Sequence, residues 1–305
     1  MSDITTILDE RKKFQLENNL LYNFLEPSAT ATFYDDFYSD EVKKNAPPEF
    51  LDAVKEHYHQ LGEDAKRMEA IISNLESRFA TKGIVVEIGG SRYQNRSANA
   101  YSRFRNYFPL DISHSSIQAY TQTYNKIGFV SNAQQLPFKD NSIDCIFTHT
   151  FLEHPLEPEK VLNEIIRVLK VGGIVVHNDA WFCRWWQRYG VVKLKKFSNM
   201  TFQEKLISLS AWFTELKVVR IPPILMTRLA AELFAPKNKV TKLRYKKLTP
   251  NYSLHLGCDE DAASGIDPLQ VIRYYESRGF QLNKPLSSTQ RLFHPNNSIC
   301  LEKIA

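Results

Sequence analysis

Acidic and glycine residues end two predicted strands in the first half of the chain. The β-branched run IVVEIGG carries Glu87, Gly89 and Gly90, and Asp111 ends the run YFPLDIS, twenty-four residues after Glu87. A glycine turn after a buried strand lets backbone amides approach a ligand, and an acid ending the next strand can accept hydrogen bonds from both ribose hydroxyls. The later glycines of a dinucleotide turn, GxGxxG, are missing, which disfavours a pyrophosphate. These residues favour a ribose-containing ligand, and the alternative is a glycine turn without a ligand.

A parallel α/β sheet is the structure that would position these residues. Short apolar runs predict five strands, at residues 84–90, 107–113, 128–130, 142–150 and 172–179. The segment EPEKVLNEIIRVLKVGG between the last two has a helical apolar face, with Lys170 and Gly172 at its expected end. Alternation of strands and helices predicts right-handed crossovers and a doubly wound, mostly parallel sheet.

The flanking segments extend this core. Residues 7–25 and 47–79 show helical apolar spacing and predict a helical N-terminal region, while residues 267–280 predict another helix. Two closing strands, FQLNKP and SICLEKI, follow that helix. We therefore expect four regions: residues 1–80 as a helical N-terminal cap, 81–180 as the ligand-binding core, 181–266 as an insertion, and 267–305 as the last helix and closing strands.

A family resemblance covers residues 83–179. The segment NAQQLPFKDNSIDCIFTHTFLEHPLEPEKVLNEIIRVLKVGG, residues 132–173, is its most specific part. Together with EIGG and LDIS, it resembles the class I S-adenosylmethionine-dependent methyltransferases of the small ubiquinone/menaquinone-biosynthesis-like type. Ser91 and Tyr93 replace later glycines of the family's turn, and Asn132 stands where the family usually has Asp. The resemblance implies a Rossmann-like fold with a seven-stranded core.

The resemblance also implies the cofactor and its contacts. S-adenosylmethionine would lie with its methionine part against Glu87, Gly89 and Gly90. Asp111 would bind the ribose hydroxyls, and Ile112 would pack on the adenine. The further cofactor contacts that the resemblance implies are Asn132 and Ala133 at the adenine edge, and Thr148 and His149 on the sulfonium side.

The reaction that the resemblance implies transfers the sulfonium methyl group to a nucleophile. A general base is needed only for a poorly acidic acceptor such as a sugar hydroxyl. His154, His149 and Asp179 are the candidate bases, since they lie at or beyond the carboxyl ends of predicted strands; a structural role for His154 is the alternative. In some methyltransferases the pattern ExxEH binds a divalent metal. Here Thr150 replaces the first acid and leaves only Glu153 and His154, so the sequence predicts no metal.

Basic and aromatic residues are concentrated in one segment. The whole chain has 39 Lys and Arg residues and 34 Asp and Glu residues, but residues 181–250 hold fifteen of the former and only three of the latter. All four tryptophans also lie there. Such a composition suits an anionic membrane surface or, less well, a single-stranded nucleic acid. The alternative is an ordinary helical cap with solvated lysines.

We expect this segment to form the acceptor side of the site. Trp181 and Trp185 open the insertion, and the loop at residues 255–268 could fold over the acceptor with His255, Asp259 and Asp261 as polar contacts; a solvated loop is equally open. Predicted substrate contacts are Trp181, Trp185 and His255. The acceptor would be a small molecule or glycan, anionic or lipid-linked, and the reaction an O-methylation.

Composition limits the other possibilities. No apolar run approaches the roughly 20 residues of a membrane span, the start lacks the apolar region of a secretory signal, and the four cysteines lie far apart. The sequence therefore predicts a cytoplasmic protein, with a peripheral location at the inner face of the membrane as an option. Rival functions are an RNA methyltransferase, a quinone or lipid methyltransferase, and a non-enzymatic relative that binds the cofactor weakly or not at all.

Overall fold

The computed structural model describes a sheet flanked by helices. The residues described are 4–25, 28–38, 62–90, 100–190, 197–234, 240–252, 259–293 and 298–305. The strands are β1 (Gln15–Glu17), β2 (Leu21–Asn23), β3 (Ile84–Ile88), β4 (Asn106–Asp111), β5 (Gly128–Val130), β6 (Ile143–His149), β7 (Leu169–Asn178), β8 (Tyr245–Lys247), β9 (Ser264–Ile266), β10 (Phe280–Leu282) and β11 (Ile299–Lys303). The helices are α1 (Ala29–Tyr38), α2 (Gly62–Phe79), α3 (Ala100–Arg103), α4 (His114–Tyr124), α5 (Pro158–Val168), α6 (Phe202–Glu215), α7 (Lys217–Phe234), α8 (Pro268–Glu276) and α9 (Ser288–Leu292).

The main sheet has the order β1-β2-β5-β4-β3-β6-β7-β11-β10. Neighbouring strands from β2 to β7 are parallel, and β1, β11 and β10 pair antiparallel. Apolar side chains cover both faces, with Ile88 and Ile146 in one core cluster and Val85 and Phe147 in the other. This two-sided burial is why these strands have continuous apolar sequences.

The N-terminal segment differs from its prediction. Residues 15–23 form the β1–β2 hairpin, and β2 pairs in parallel with β5, so the helix predicted over residues 7–25 is wrong. Tyr22 is buried against Phe129, with ring centroids 5.5 Å apart. This pairing gives nine strands in place of the predicted seven. Of the helix predicted over residues 47–79, the structure describes α2; the preceding residues lie outside the described ranges.

Helix α5 follows its predicted face but ends earlier. Val161, Leu162, Ile165 and Val168 are buried, as the spacing predicts. The helix stops at Val168, and β7 begins at once because the buried Leu169 already pairs with Ile143 of β6. The predicted helix end at Lys170 and Gly172 is therefore wrong, since both residues belong to the strand.

Helices α6 and α7 leave an apolar surface in contact with solvent. Phe202 and Trp212 of α6 are 78% and 65% exposed, and Phe234 at the end of α7 is 82% exposed. Leu206, Leu209 and Phe213 are exposed as well, and Ala211 is the buried residue of α6. The structure therefore contains the apolar face that the spacing predicts, and the described residues leave it exposed.

No described helix combines the length and the apolar character that crossing a bilayer requires.

Candidate cofactor and acceptor site

The glycine turn after β3 is held by the neighbouring strand. Gly89 has a left-handed backbone, with φ of +79°, and both its N–H and that of Gly90 donate to the Leu110 carbonyl, at 2.8 and 3.2 Å. A Cβ on Gly89 would lie 2.9 Å from the Phe151 ring, and a Cβ on Gly90 would lie 2.8 Å from Pro109 Cβ. Only glycine fits these positions, so the turn stays close to β4 and Asp111. Ser91 and Tyr93 lie outside the described residues.

Glu87 points into the sheet core. Its side chain is buried and accepts a hydrogen bond from the Tyr107 hydroxyl of β4. Burial, followed by the nearby Glu87 charge, raises the pKa of Tyr107 well above its usual value, so the phenol stays protonated and keeps donating. Glu87 is therefore a structural acid of β3 as well as the residue that the resemblance assigns to the cofactor's methionine part.

Asp111 ends β4 beside the glycine turn. The carboxylate is buried, and the Ser113 N–H donates to its Oδ1 at 2.9 Å. Burial raises the pKa of Asp111 to about 6, although the backbone N–H groups of Ser113 and Ile112 lower it in part. A carboxylate here at neutral pH has lost most of its water and retains acceptor capacity, which suits a diol such as ribose.

The residues expected at the adenine surround the end of β5. Asn132 caps a short 3₁₀ turn, its Oδ1 accepting from the Gln134 N–H at 2.9 Å. Ala133 is buried, Ile112 is partly buried and Asn132 is exposed. The Asn132 oxygen thus already has one backbone partner, and a carbonyl oxygen has room for a second.

Thr148 and Asp179 belong to a buried polar network. The Thr148 hydroxyl donates to Asp179 Oδ2 at 2.8 Å and accepts from His177 Nδ1 at 2.8 Å, while His177 Nε2 lies 3.0 Å from the Tyr275 hydroxyl. Asp179 Oδ1 accepts the Phe151 N–H at 3.0 Å and so fixes the loop after β6. Burial alone would raise the pKa of Asp179, but the hydrogen bonds from His177 and Thr148 lower it below its usual value. This carboxylate is a weak base.

His149 is held by an amide. Asn178 Nδ2 lies 2.7 Å from His149 Nδ1, and the Ser298 hydroxyl donates to Asn178 Oδ1 at 2.5 Å. Because Ser298 uses the amide oxygen, the Asn178 nitrogen is the donor, and His149 Nδ1 must accept. The neutral ring then carries its proton on Nε2. This nitrogen can donate a hydrogen bond to a substrate but cannot accept a proton from it.

His154 lies among carboxylates contributed by distant parts of the chain. His154 Nδ1 is 3.0 Å from Asp261 Oδ2, and His154 Nε2 is 3.6 Å from Glu153 Oε1. Burial lowers the pKa of His154, but the charges of Asp261 and Glu153 outweigh it and raise the pKa to about 10. A protonated imidazole cannot accept a proton from a substrate. Each of the three candidate bases therefore has a structural partner that opposes that role.

Helix α1 contacts residues at this edge of the sheet that no sequence pattern predicts. The Tyr34 hydroxyl donates to Asp261 Oδ2 at 2.6 Å. Asp35 Oδ1 accepts from the Ser113 hydroxyl at 2.9 Å and the Ser115 N–H at 3.0 Å, next to Asp111. These partners are 78 to 227 positions apart, and no local pattern marks them.

The structure describes two of the three predicted substrate contacts, Trp181 and Trp185, and places them in different surroundings. Trp181 packs on the main core, and Trp185 is 38% exposed at the surface, in an edge contact with Tyr189 whose ring centroids are 6.1 Å apart. His255 lies outside the described residues. The insertion instead begins beside the His154 loop, because the Phe182 N–H donates to the Ile266 carbonyl at 3.0 Å and the Ala263 N–H donates to that of Glu153 at 2.8 Å.

The parallel strand order, the glycine turn after β3 and the acid ending β4 define a class I, Rossmann-like methyltransferase fold. Residues 86–177 match the family described as "Methyltransferase domain", which supports the class I S-adenosylmethionine-dependent methyltransferase core that the sequence predicts. The cofactor of this family is S-adenosylmethionine. Its ribose fits the buried acceptor Asp111, at the glycine turn where added side chains would collide.

Similar proteins match either a short part of the chain or most of it at low identity. The ubiquinone/menaquinone biosynthesis C-methyltransferases UbiE of Salmonella arizonae and Salmonella newport are 37% identical over 70 residues, which are 21% of this chain and 28% of each relative. The match thus spans less than a third of those relatives. The YcgJ protein of Bacillus subtilis has 13% identity and a TM-score of 0.42, with 78% of this chain and 94% of that one covered. A structural likeness this distant says nothing about the acceptor.

Proposed function

We propose that the protein transfers a methyl group from S-adenosylmethionine to an acceptor held at the carboxyl edge of the sheet. The observation that carries this proposal is the placement of Asp111 beside the glycine turn, with the loop after β6 and helix α1 on the same edge. Asp111 and the turn hold the cofactor. Asp179, through its hydrogen bond from the Phe151 N–H, positions the loop that borders the sulfonium.

The bound cofactor supplies an electrophilic methyl group, and the protein positions the acceptor to attack it. Holding the acceptor in line with the sulfonium can lower the barrier by about 7–11 kcal/mol at best. His149, His154 and Asp179 are engaged with structural partners, so these side chains contribute mainly by positioning and not as bases. O-methylation of a poorly acidic sugar hydroxyl would then need another activating group, whereas an acceptor already ionised at neutral pH would not.

We further propose that the acceptor is anionic and linked to lipid. The exposed apolar side chains of α6 and α7, with Phe202 and Trp212 outermost, suit the headgroup region of a bilayer. Lys242, Lys246 and Lys247 are exposed on the β8 side of the same insertion. Part of the basic excess is neutralised within the protein, because the side chains of Arg184 and Arg220 pair with Glu215, and that of Arg228 with Asp267. The remaining lysines supply the attraction to an anionic surface.

Cofactor binding and membrane binding can be tested separately. Calorimetry should give a micromolar S-adenosylmethionine complex, roughly −8 kcal/mol, and no tighter binding of NAD. Absence of cofactor binding in a folded protein would contradict the methyl-transfer proposal.

Flotation with vesicles tests the lipid-linked acceptor. Vesicles containing phosphatidylserine should bind the protein, and neutral phosphatidylcholine vesicles should bind it less. Each exposed lysine near such a surface contributes about 1 kcal/mol. A Lys242→Ser/Lys246→Ser/Lys247→Ser variant should therefore bind up to about 150-fold more weakly, with cofactor affinity unchanged. Lys139→Ser is the control, because Lys139 is a half-buried lysine beyond β5 that pairs with Glu10. Equal vesicle binding by wild type and the triple variant would contradict the proposal and favour an ordinary helical cap.

A further inference from the structure

The loop after β6 and the segment before β9 form a cluster of metal-ligating side chains. Glu153, His154 and Asp259 each offer one ligand atom, and these atoms lie within 4.8 Å of one another. Glu153 and His154 are adjacent in the sequence, whereas Asp259 comes from the insertion. The sequence predicts no metal because only two ligands of the ExxEH pattern remain, and the fold brings in a third.

One buried carboxylate oxygen of this cluster lacks a hydrogen bond. Glu153 is fully buried, and its Oε1 makes no hydrogen bond with any described residue. Its Oε2 accepts from the Ala180 N–H at 3.3 Å, which fixes the side chain and leaves Oε1 directed toward His154. A buried carboxylate oxygen without a hydrogen bond costs roughly 1–3 kcal/mol or more. The His154 ring at 3.6 Å lies too far away to supply that bond, so Oε1 has room for a metal ion.

The other two candidate ligands, His154 and Asp259, are also oriented by neighbouring side chains. His154 Nδ1 faces Asp261 at 3.0 Å, and Tyr34 donates to that same carboxylate. Gln187 Nε2 donates to Asp259 Oδ2 at 3.2 Å. In metal sites the second ring nitrogen of a ligating histidine commonly donates to a carboxylate, which orients the ring. Asp261 occupies that position here.

We propose that Glu153, His154 and Asp259 bind one divalent metal ion, which displaces the proton of His154 Nε2 to solvent. Ligand atoms about 2.1 Å from an ion lie about 3.0–3.4 Å apart when adjacent, so the observed spacing requires shifts of about 1 Å or less. Two carboxylates and one imidazole suit Mn²⁺ and Zn²⁺ better than Mg²⁺ or Ca²⁺, which favour oxygen alone. Binding of the ion does not depend on the proposed function.

The position of the ion gives it a role that does rest on the proposed function. The cluster adjoins Asp179 and the loop after β6, on the edge where the acceptor would lie. A divalent ion there would stabilise the ionised form of an acceptor hydroxyl, which His149, His154 and Asp179 are not placed to deprotonate.

Electron paramagnetic resonance of Mn²⁺ tests the site without cofactor or acceptor. The full-length protein is treated with a chelator, dialysed and titrated with MnCl₂, and the free Mn²⁺ signal is measured. We expect one Mn²⁺ per chain, displaced by Zn²⁺ and not by equimolar Mg²⁺. This measurement involves no methyl transfer, so it is independent of cofactor binding. The protein could bind S-adenosylmethionine and no Mn²⁺, or Mn²⁺ and no S-adenosylmethionine, and the two proposals would be refuted separately.

Variants locate the bound ion. Asp259→Asn keeps the shape and suits the left-handed backbone at φ of +57°, and it should weaken Mn²⁺ binding by more than 100-fold. Asp261→Asn should weaken it by roughly 10–100-fold, as for other residues that orient a ligand. Glu157→Gln, an exposed acid of the same loop that pairs with Lys160 at 2.6 Å, should bind Mn²⁺ like wild type.

Two outcomes would overturn the proposal. The first is a folded wild type, by circular dichroism, that binds neither Mn²⁺ nor Zn²⁺ at millimolar concentration; a protonated His154 would then be the cation of the cluster. The second is unchanged Mn²⁺ affinity in Asp259→Asn, which would place the ion elsewhere.

Discussion

Replacing Asp111 by asparagine should stabilise the cofactor-free protein and weaken cofactor binding. Burial raises the folded-state pKa of this carboxyl from 3.8 to about 6. The folded state therefore binds more protons than the unfolded state between these pH values, and stability falls as pH rises through that window. The difference of about two units corresponds to about 3 kcal/mol at pH 7.5 and about half of that at pH 5. Asparagine keeps an oxygen for the Ser113 N–H and removes the buried charge.

Urea unfolding at both pH values measures this effect. The free energy of unfolding of Asp111→Asn should exceed that of wild type by up to about 3 kcal/mol at pH 7.5, and the gain should shrink at pH 5. Asp140→Asn is the control, because Asp140 is 63% exposed in its pair with Arg167. Its loss should change stability by no more than about 1 kcal/mol. A variant no more stable than wild type at pH 7.5 would refute the idea that the charge is buried at a cost.

The same variant tests the role of Asp111 in binding. Each hydrogen bond to a charged acceptor contributes about 1.5–3 kcal/mol, so loss of the charge should weaken S-adenosylmethionine binding roughly 10- to 150-fold by calorimetry. Unchanged affinity would remove Asp111 from the ribose site. If Asp111→Asn unfolds less readily than wild type but binds S-adenosylmethionine more weakly, Asp111 serves ligand binding at a cost in stability.

Three further substitutions test the turn and the edge of the sheet. Gly89→Ala should lower the free energy of unfolding by more than Gly172→Ala, because both have φ of +79° but only Gly89 has a neighbour within 4 Å; equal losses in urea would contradict the Phe151 contact. Thr148→Val should cost about 1–3 kcal/mol in the same assay by removing a donor from buried Asp179, and no loss would mean that the network is dispensable. His149→Gln should keep turnover within about tenfold, since Nδ1 already accepts from Asn178; a fall of 10²–10⁴-fold would restore His149 as a general base.

Local patterns in the sequence predicted the centre of the fold. The strands β3 to β7 and helix α5 lie close to their predicted positions, because strands buried on both faces and a helix with one apolar face leave clear periodicities. The first segment was misread since Leu16, Leu20 and Phe24 have helical spacing, but the asparagines at residues 18 and 19 adopt the left-handed conformation of a hairpin turn. Two adjacent asparagines were the available signal.

The side-chain partners at the site could not be predicted in the same way. Chain order places Asp111 and the glycine turn at one edge, because carboxyl ends of parallel strands meet there. Whether His154 meets Asp261, or Asp179 meets His177, depends on how the insertion and helix α1 fold back over that edge. A sequence of one protein records no such long-range contact. The location of the cofactor site, at Asp111 and the glycine turn, could therefore be predicted from the sequence. The carboxylates that surround His154 could not.

The parallel pairing of β2 with β5 has a consequence for how the chain is made. Leu21 pairs with Gly128, so the ribosome produces the partner strand more than a hundred residues after the hairpin. At about 5–20 residues per second, the hairpin waits roughly 5–20 s with Leu21 and Tyr22 uncovered, since an isolated hairpin is only marginally stable. Its docking closes the sheet edge beside β5, which would otherwise offer unpaired backbone groups to another chain. Nascent chains stalled before residue 128 should therefore be the aggregation-prone species in synthesis.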